Sequence, residues 1–329
     1  MNIGKVNLEN NLIMAPMAGI TDLPFRALAK EGGAGLVCTE MVSARALVYG
    51  DRKTRKLIEL STEEHPVSVQ IFGSRPAEMG EAAKIAEDLG ADIVDINFGC
   101  PVRKIINSGA GSRAVENEKL AAQIMEAVVR GVKLPVTIKI RTGNTPEQNI
   151  APALVKLAQE NGIKMVTVHA RPAAWGHTGQ PNLSAVREAV ACADIPVVGN
   201  GGITDELTAK EFLDQTGCAG LMIGRAAIGD PELFGRLRHY LSHGDKLREE
   251  TMEDRLKYLK RHAILSCAHY GERTGIIVLR KVSSYYLKGL PNASRIRDRF
   301  NKLTRLSELD ALLEGVWESP YFEAAVDFE

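Results

Sequence analysis

Val136-Thr137-Ile138-Lys139-Ile140, then the helical pattern of Ile150–Asn161, then Met165-Val166-Thr167-Val168-His169, is a short apolar run, an amphipathic segment and a second apolar run. Five-residue runs rich in Val and Ile read as buried strands of the parallel type, and the segment between them has the length and period of a crossover helix. Working outward in both directions, the same alternation recurs. Further apolar runs lie at Leu12–Ala15, Gly35–Thr39, Val67–Phe72, Ile93–Asn97, Pro196–Gly199 and Gly220–Ile223. Amphipathic stretches lie at Leu23–Glu31, Ala77–Leu89, Asn117–Val129, Ser184–Ala191, Glu206–Gln215 and Glu232–Leu241. Eight strand-helix repeats predict a (β/α)8 TIM barrel, an α/β fold; a doubly wound open sheet is the rival, and it normally needs fewer units.

The alternation stops near Ser242-His243-Gly244-Asp245, so the barrel is assigned to residues 1–244. Residues 245–329 read as a small all-α helical bundle. Thr251 and Asp254 have the spacing of a capped helix start, for a helix running to Tyr270. Thr274–Leu287 reads as the second helix, ended by Lys288-Gly289-Leu290-Pro291, and Asn292–Lys302 and Ser307–Trp317 complete roughly four helices.

The chain has 329 residues, 45% of them hydrophobic and 25% charged, with no formal net charge. That is ordinary for a soluble globular protein, and no apolar run reaches the roughly 18 residues of a membrane span. The N-terminus lacks the pattern of a signal peptide. Five scattered cysteines argue against a disulfide framework and against a metal site, so a reducing cytoplasm is the expected compartment. The zero net charge hides an asymmetry. Between Arg255 and Arg305 stand thirteen Lys and Arg residues against Glu272 and Asp298; beyond Arg305, Glu308, Asp310, Glu314, Glu318, Glu323, Asp327 and Glu329 follow with no Lys or Arg. A polyanion site and a solvated helical surface explain the basic stretch about equally well on charge alone.

Chemistry in a TIM barrel sits at the C-terminal ends of the strands. There the sequence places Gln70, Asn97 followed by Cys100, Lys139 with Arg141, His169 with Arg171, Asn200, and Arg225. Taken singly, a histidine is more often a satisfied core residue and a cysteine an inert thiol. Lys139 differs, because a strand buried on both sides does not tolerate it unpaired. Gly201, Gly202 and Gly224, with Arg225, follow strands seven and eight, where TIM barrels often hold a phosphate. A phosphorylated cofactor and a phosphosugar substrate both suit such a site.

These residues sit in motifs that resemble the tRNA-dihydrouridine synthases, nearest the bacterial B-type subgroup, over nearly the whole chain. The resemblance rests on Ala15-Pro16-Met17-Ala18-Gly19, Val69-Gln70-Ile71-Phe72-Gly73, Asp95-Ile96-Asn97-Phe98-Gly99-Cys100-Pro101, Lys139-Ile140-Arg141, Val168-His169-Ala170-Arg171 and Met222-Ile223-Gly224-Arg225. In the tail, Leu279-Arg280-Lys281 and Lys288-Gly289-Leu290-Pro291 also match. It implies an FMN enzyme that draws hydride from NADPH and reduces uridine to dihydrouridine in RNA, tRNA above all, as a monomer. Pro16, Met17, Ala18, Gln70, Lys139, His169, Asn200, Gly201, Gly224 and Arg225 match the flavin-binding positions, with Gly202 beside them at the phosphate. Cys100 matches the general acid. Asn97, Arg141, Arg171, Arg280 and Lys281 are the candidates for holding substrate.

The chain departs from the family pattern at Gly202, where an acid is frequent, and in the loop Arg171–Leu183. It also departs at Asn107, Arg113 and Val282. Those differences raise a different RNA target, such as another tRNA position or ribosomal RNA, and an RNA-binding protein without catalysis; the phosphate site and Lys139 also suit a barrel reductase of a free small molecule.

Overall fold

The computed structural model describes residues 1–317; Glu318, Glu323, Asp327 and Glu329 of the acidic tail lie outside the described residues. Eight parallel strands follow one another in the chain: β1 (Leu12–Met14), β2 (Val37–Cys38), β3 (Val67–Phe72), β4 (Ile93–Asn97), β5 (Val136–Arg141), β6 (Met165–His169), β7 (Val197–Asn200) and β8 (Gly220–Ile223). From β2 to β8 each pairs with the next, β8 pairs with β1, and the bridge Ile13–Leu36 links β1 to β2 and closes the ring. This is a (β/α)8 TIM barrel.

Strand periodicity explains why the runs look apolar on both faces. Alternate residues such as Val94, Ile96, Ile138, Ile140, Val166 and Val168 point outward and pack under the helices in the larger core. Their neighbours point inward, where the N-terminal half of the barrel is apolar, with Ile13, Leu36, Ile93, Met165, Val198 and Met222. A two-stranded hairpin, Asn2–Ile3 with Val6–Asn7, brings Ile3 and Leu8 into this inner cluster, a feature that the sequence pattern does not announce. Toward the C-terminal ends the inward column becomes polar: Gln70, Asp95, Asn97, Thr137, Lys139, Arg141, Thr167, His169 and Asn200. Lys139 therefore faces other polar groups across the barrel, while its two strand neighbours face the helices.

The barrel-side helices are α1 (Leu23–Glu31), α2 (Ala44–Val48), α3 (Pro76–Asp88), α4 (Glu118–Gly131), α5 (Ala151–Glu160), α6 (Leu183–Ala191), α7 (Glu206–Thr216) and α8 (Leu233–His243). The short α2 is too brief to carry an amphipathic signature and is absent from the expected helices. Below the loop after β1, Arg26 and Glu64 form a fully buried ion pair, and Arg26 also donates to the carbonyls of Thr21 and Glu59. A buried pair of this kind persists because each partner's remaining groups are satisfied.

Helix α8 ends at Gly244, whose φ of +85° terminates it in the left-handed region. The tail starts with α9 (Met252–Tyr270), and the expected Thr251/Asp254 capping box forms. The single helix expected over Thr274–Leu287 is instead broken into α10 (Glu272–Val278), a 3-10 turn over Leu279–Lys281 and α11 (Ser283–Tyr286). Leu279, Val282, Tyr286 and Leu287 are nonetheless all buried, the same i, i+3, i+7, i+8 face that a single helix would bury. Helices α12 (Ala293–Phe300) and α13 (Leu306–Trp317) follow. Helix α9 lies along α1, with Arg261 bridging to Glu31, the Tyr270 hydroxyl donating to Asp22, and the ring of His262 5.7 Å from that of Phe25.

Candidate active site

A cavity of about 580 Å³ opens at the C-terminal end of the barrel. Its floor and walls come from the strand ends and the loops after them: Pro16, Met17 and Ala18 after β1; Asn97 and Cys100 after β4; Lys139 and Arg141 on β5. His169 and Arg171 follow from β6, Asn200, Gly201 and Gly202 from β7, and Gly224 and Arg225 from β8. Most of the site residues expected from the sequence thus meet in one place. Three do not line it: Gln70, Arg280 and Lys281.

Gln70 sits one layer beneath. Its Nε2 donates to Asp95 at 2.7 Å and its Oε1 accepts from Asn97 Nδ2 at 2.8 Å. Asn97 Oδ1 in turn accepts the backbone N–H groups of Gly99 and Cys100, at 3.1 and 2.9 Å. Asp95 is buried, accepts a second hydrogen bond from Thr137 at 2.5 Å, and has its carboxyl raised by burial against the opposing pull of those donors. Arg280 lies in the tail and donates to the Leu303 carbonyl at 3.0 Å. Lys281 lies at the rim, its Nζ close above Gly19. Gly19 N–H donates to the buried Glu40, whose carboxyl burial raises.

Four cations line the cavity, Lys139, Arg141, Arg171 and Arg225, and among the described residues no carboxylate does. Lys139 Nζ donates to Asn200 Oδ1 at 2.8 Å, and Asn200 is held by its own bond to the Met222 carbonyl. Burial, aided by Arg141 and opposed by Asp95, brings the Lys139 ammonium down to about 8. Burial also takes His169 far below its usual range, with Lys139 and Arg141 adding to the shift, so the imidazole is neutral. An anion in the cavity would reverse these penalties, because it supplies the missing charge partner.

The three arginines also organise the loop after β6. Arg141 donates to the carbonyls of Gly99, Pro172 and Gly176, Arg171 to that of Gly179, and Arg225 to that of His177. Each guanidinium has five N–H groups, so Arg171 and Arg225 retain donors for a ligand. Gly201 has a φ of +104°, and a Cβ there would meet His169 Nε2 at 2.9 Å and Arg171 Nη1 at 3.0 Å. The backbone at Gly201 therefore passes directly beneath the His169 ring and the Arg171 guanidinium, where any side chain would clash.

Cys100 lies on the opposite wall, 9% exposed, and burial lifts its thiol above the ordinary range, with Arg141 and Lys139 pulling the other way. Its thiol is therefore neutral at pH 7 and holds a proton. Met41, His177 and Tyr285 also line the cavity and are absent from the residues expected there. Tyr285 comes from the tail. Its neighbour Tyr286 is buried in the tail, and the sequence does not tell which of the two adjacent tyrosines reaches the cavity.

The family departures have partners inside the chain. A Cβ on Gly202, whose φ is +84°, would meet Pro181 Cγ at 2.9 Å, so the glycine and the altered β6 loop fit one another. Arg113 pairs with Glu116 at 2.5 Å, and Val282 is buried in the tail. Asn107 is an exposed helix end for which nothing in the structure gives a reason. Among the described residues no cluster of His, Cys, Asp and Glu could hold a metal ion, and no helix is long and apolar enough to cross a membrane.

A family model described as dihydrouridine synthase matches residues 13–321. The chain is similar to tRNA-dihydrouridine synthase B of Pseudomonas aeruginosa, 41% identical over 316 residues, covering 96% of this chain and 94% of that one. It is similar to tRNA-dihydrouridine synthase B of Proteus vulgaris, 40% identical over 97% of this chain and 99% of that one. A probable tRNA-dihydrouridine synthase of Rickettsia bellii is 39% identical over 92% of this chain and 93% of that one. Among solved structures, histamine dehydrogenase from Rhizobium sp. 4-9 superposes with a TM-score of 0.57 at 13% identity. That match covers 80% of this chain and 50% of the other, and the likeness is one of fold.

Proposed function

The chain belongs to the dihydrouridine synthase family, and from that premise we infer that it is a flavin-dependent oxidoreductase that reduces uridine to 5,6-dihydrouridine in tRNA. The flavin is FMN and the reductant NADPH. The donor set suits FMN: a phosphate group answers the four cations that no carboxylate in the cavity balances, and Gly201, Gly202, Gly224 and Arg225 would receive it. Lys139 and Asn200 would hold the polar edge of the ring system and Pro16, Met17 and Ala18 its flank. The bound flavin supplies the hydride that goes to C6 of the uracil ring.

The chain's own part is to admit the base, exclude water and deliver the proton. Cys100 gives that proton to C5 from the wall across the cavity, which requires a thiol rather than a thiolate. Asn97 fixes the Cys100 backbone, and Arg141, bonded to the Gly99 carbonyl, fixes the preceding peptide. The target base has to leave any stack to enter, at a cost of roughly a few kcal/mol that phosphate contacts elsewhere can offset.

One observation carries this reading: the buried Cys100 thiol shares a cavity with four cations that no carboxylate among its lining residues balances. Cys100→Ala separates the two halves of the reaction. Flavin reduction by NADPH is expected to persist and dihydrouridine formation to collapse; survival of both activities removes Cys100 as the acid.

A further inference from the structure

The basic tail is less available than its sequence suggests. Of its thirteen cations, Arg255, Lys257, Lys260 and Arg261 are engaged with Glu250, Glu253, Asp310 and Glu31. A second cationic surface lies on the barrel itself, on the rim loop after β2. Arg45, Arg52, Lys53, Arg55 and Lys56 fall within twelve residues and stand at the surface. None of the five has a carboxylate partner among the described residues.

Asp51 is the one acid in that stretch, and it is occupied as a helix cap: its Oδ1 accepts the Thr54 N–H at 2.7 Å and starts the single turn Arg52–Lys56. That turn sets like charges three and four residues apart, a repulsive arrangement in an isolated helix. Solvated surfaces usually mix signs, whereas a run of one sign is relieved by a polyanion.

Tyr49 stands in the middle of this surface, 72% exposed, with the Arg45 guanidinium 5.8 Å from its ring centroid. Beside them runs an open groove lined by Ser43, Arg45, Ala46, Tyr49 and Asp51. The surface also meets the tail. Glu59, three residues past Lys56, lies 3.8 Å from His269 near the end of α9, and Arg273, without a carboxylate partner among the described residues, follows on α10. At its other end the segment begins next to Met41, in the wall of the reaction cavity.

We propose that residues 45–56 form a second RNA-binding surface, on which the cations hold phosphates and Tyr49 stacks against an unpaired base. It rests on the tRNA reading above and extends it: the substrate is gripped by barrel and tail together. The exposed aromatic fits a looped, single-stranded segment, since bases inside a duplex offer no free face.

Affinity of the FMN-loaded protein for an unmodified tRNA transcript, followed against salt concentration, tests this. Arg52→Gln, Lys53→Gln, Arg55→Gln and Lys56→Gln combined should lower the slope of log K against log salt by about 3, at roughly 0.7 to 0.9 for each phosphate no longer neutralised. Tyr49→Ala should weaken binding roughly tenfold, and Tyr49→Phe should restore it. Flavin reduction by NADPH without RNA stays at the parental rate in all of them. Parental affinity and parental slope in both Tyr49→Ala and the quadruple variant overturn the surface. A parent protein that binds no tRNA at any salt instead overturns the functional reading, and the surface with it.

Discussion

The side-chain amide of Gln70 points its oxygen at Asn97, at 2.8 Å, and this direction is dictated from the backbone. The N–H groups of Gly99 and Cys100 can only donate, so Asn97 must face them with Oδ1 and offer Nδ2 to Gln70. Gln70 then has only its own nitrogen left, which needs the acceptor that Asp95 provides. The chain of polarity runs from a buried carboxylate to the peptide of Cys100, the proposed proton donor. As a carboxylate Gln70→Glu cannot donate to Asp95, so one of two acidic groups in a buried layer must take up a proton to keep the network. The substitution should cost about 1–3 kcal/mol of stability and lower dihydrouridine formation about tenfold, with flavin retention near parental. Loss of the flavin from this variant, measured by its absorbance, would show that Gln70 serves the cofactor directly.

The Cys100 thiol, raised by burial, remains protonated through the range in which an ordinary thiol ionises. A proton donor is active below its pKa, so raising the pKa extends the active range upward. The rate of dihydrouridine formation under single-turnover conditions should therefore stay level through about pH 8.5–9, the usual thiol range, and fall only beyond it. A fall centred near pH 8 is the result that counts against this placement of the thiol.

Lys139 works in the opposite sense. Its ammonium, lowered to about 8, is charged at pH 7 and loses its charge as pH rises past that value. Affinity of the flavin-free protein for FMN should be highest below about pH 8 and decline above it, by at most roughly tenfold per pH unit for one proton. Binding near pH 8 should take up a proton, because the acceptor atoms along the polar edge of the flavin ring favour the ammonium. Lys139→Met should bind FMN more weakly at pH 7 and without this decline, as isothermal calorimetry in buffers of different ionisation heat can determine. A parent with the same affinity at pH 7 and pH 9.5 would remove Lys139 from the flavin site.

The outward faces of the strands made the barrel legible. Ile96, Ile138 and Val168 announce burial whatever the neighbours are, and strand and helix patterns repeat around them. The polar strand ends were legible as a set because one fold brings them to one rim. What the sequence could not supply was direction and competition. Nothing in the run Val69-Gln70-Ile71 tells that both ends of the Gln70 amide are taken by Asp95 and Asn97, nor does Arg280 reveal that it answers the Leu303 carbonyl. The break at Leu279–Lys281 was hidden because Leu279, Val282, Tyr286 and Leu287 keep a helical spacing across it, although Gly275, Ile276, Ile277, Val278, Ser283 and Ser284 are weak helix formers. The four tail cations held in ion pairs have acids that are sequence-near for two and remote for Asp310 and Glu31.

Gly202 and Pro181 form a matched pair across the cavity edge, and their coupling can be measured. Any side chain at Gly202 meets two obstacles: a φ of +84° and Pro181 Cγ at 2.9 Å from the position of a Cβ. The first costs about 1 kcal/mol for an L residue, and the second displaces the loop that Arg171 and Arg225 hold at Gly179 and His177. Gly202→Ala should therefore weaken FMN retention several-fold as well as lower stability. Pro181→Ala removes the clash but leaves the backbone strain. In the Gly202→Ala background it should recover most of the FMN affinity and little of the stability, since the loop can settle back while φ stays positive. Equal recovery of both quantities would mean that the steric clash alone sets the residue at 202. No recovery of either would mean that the β6 loop does not respond to this clash at all.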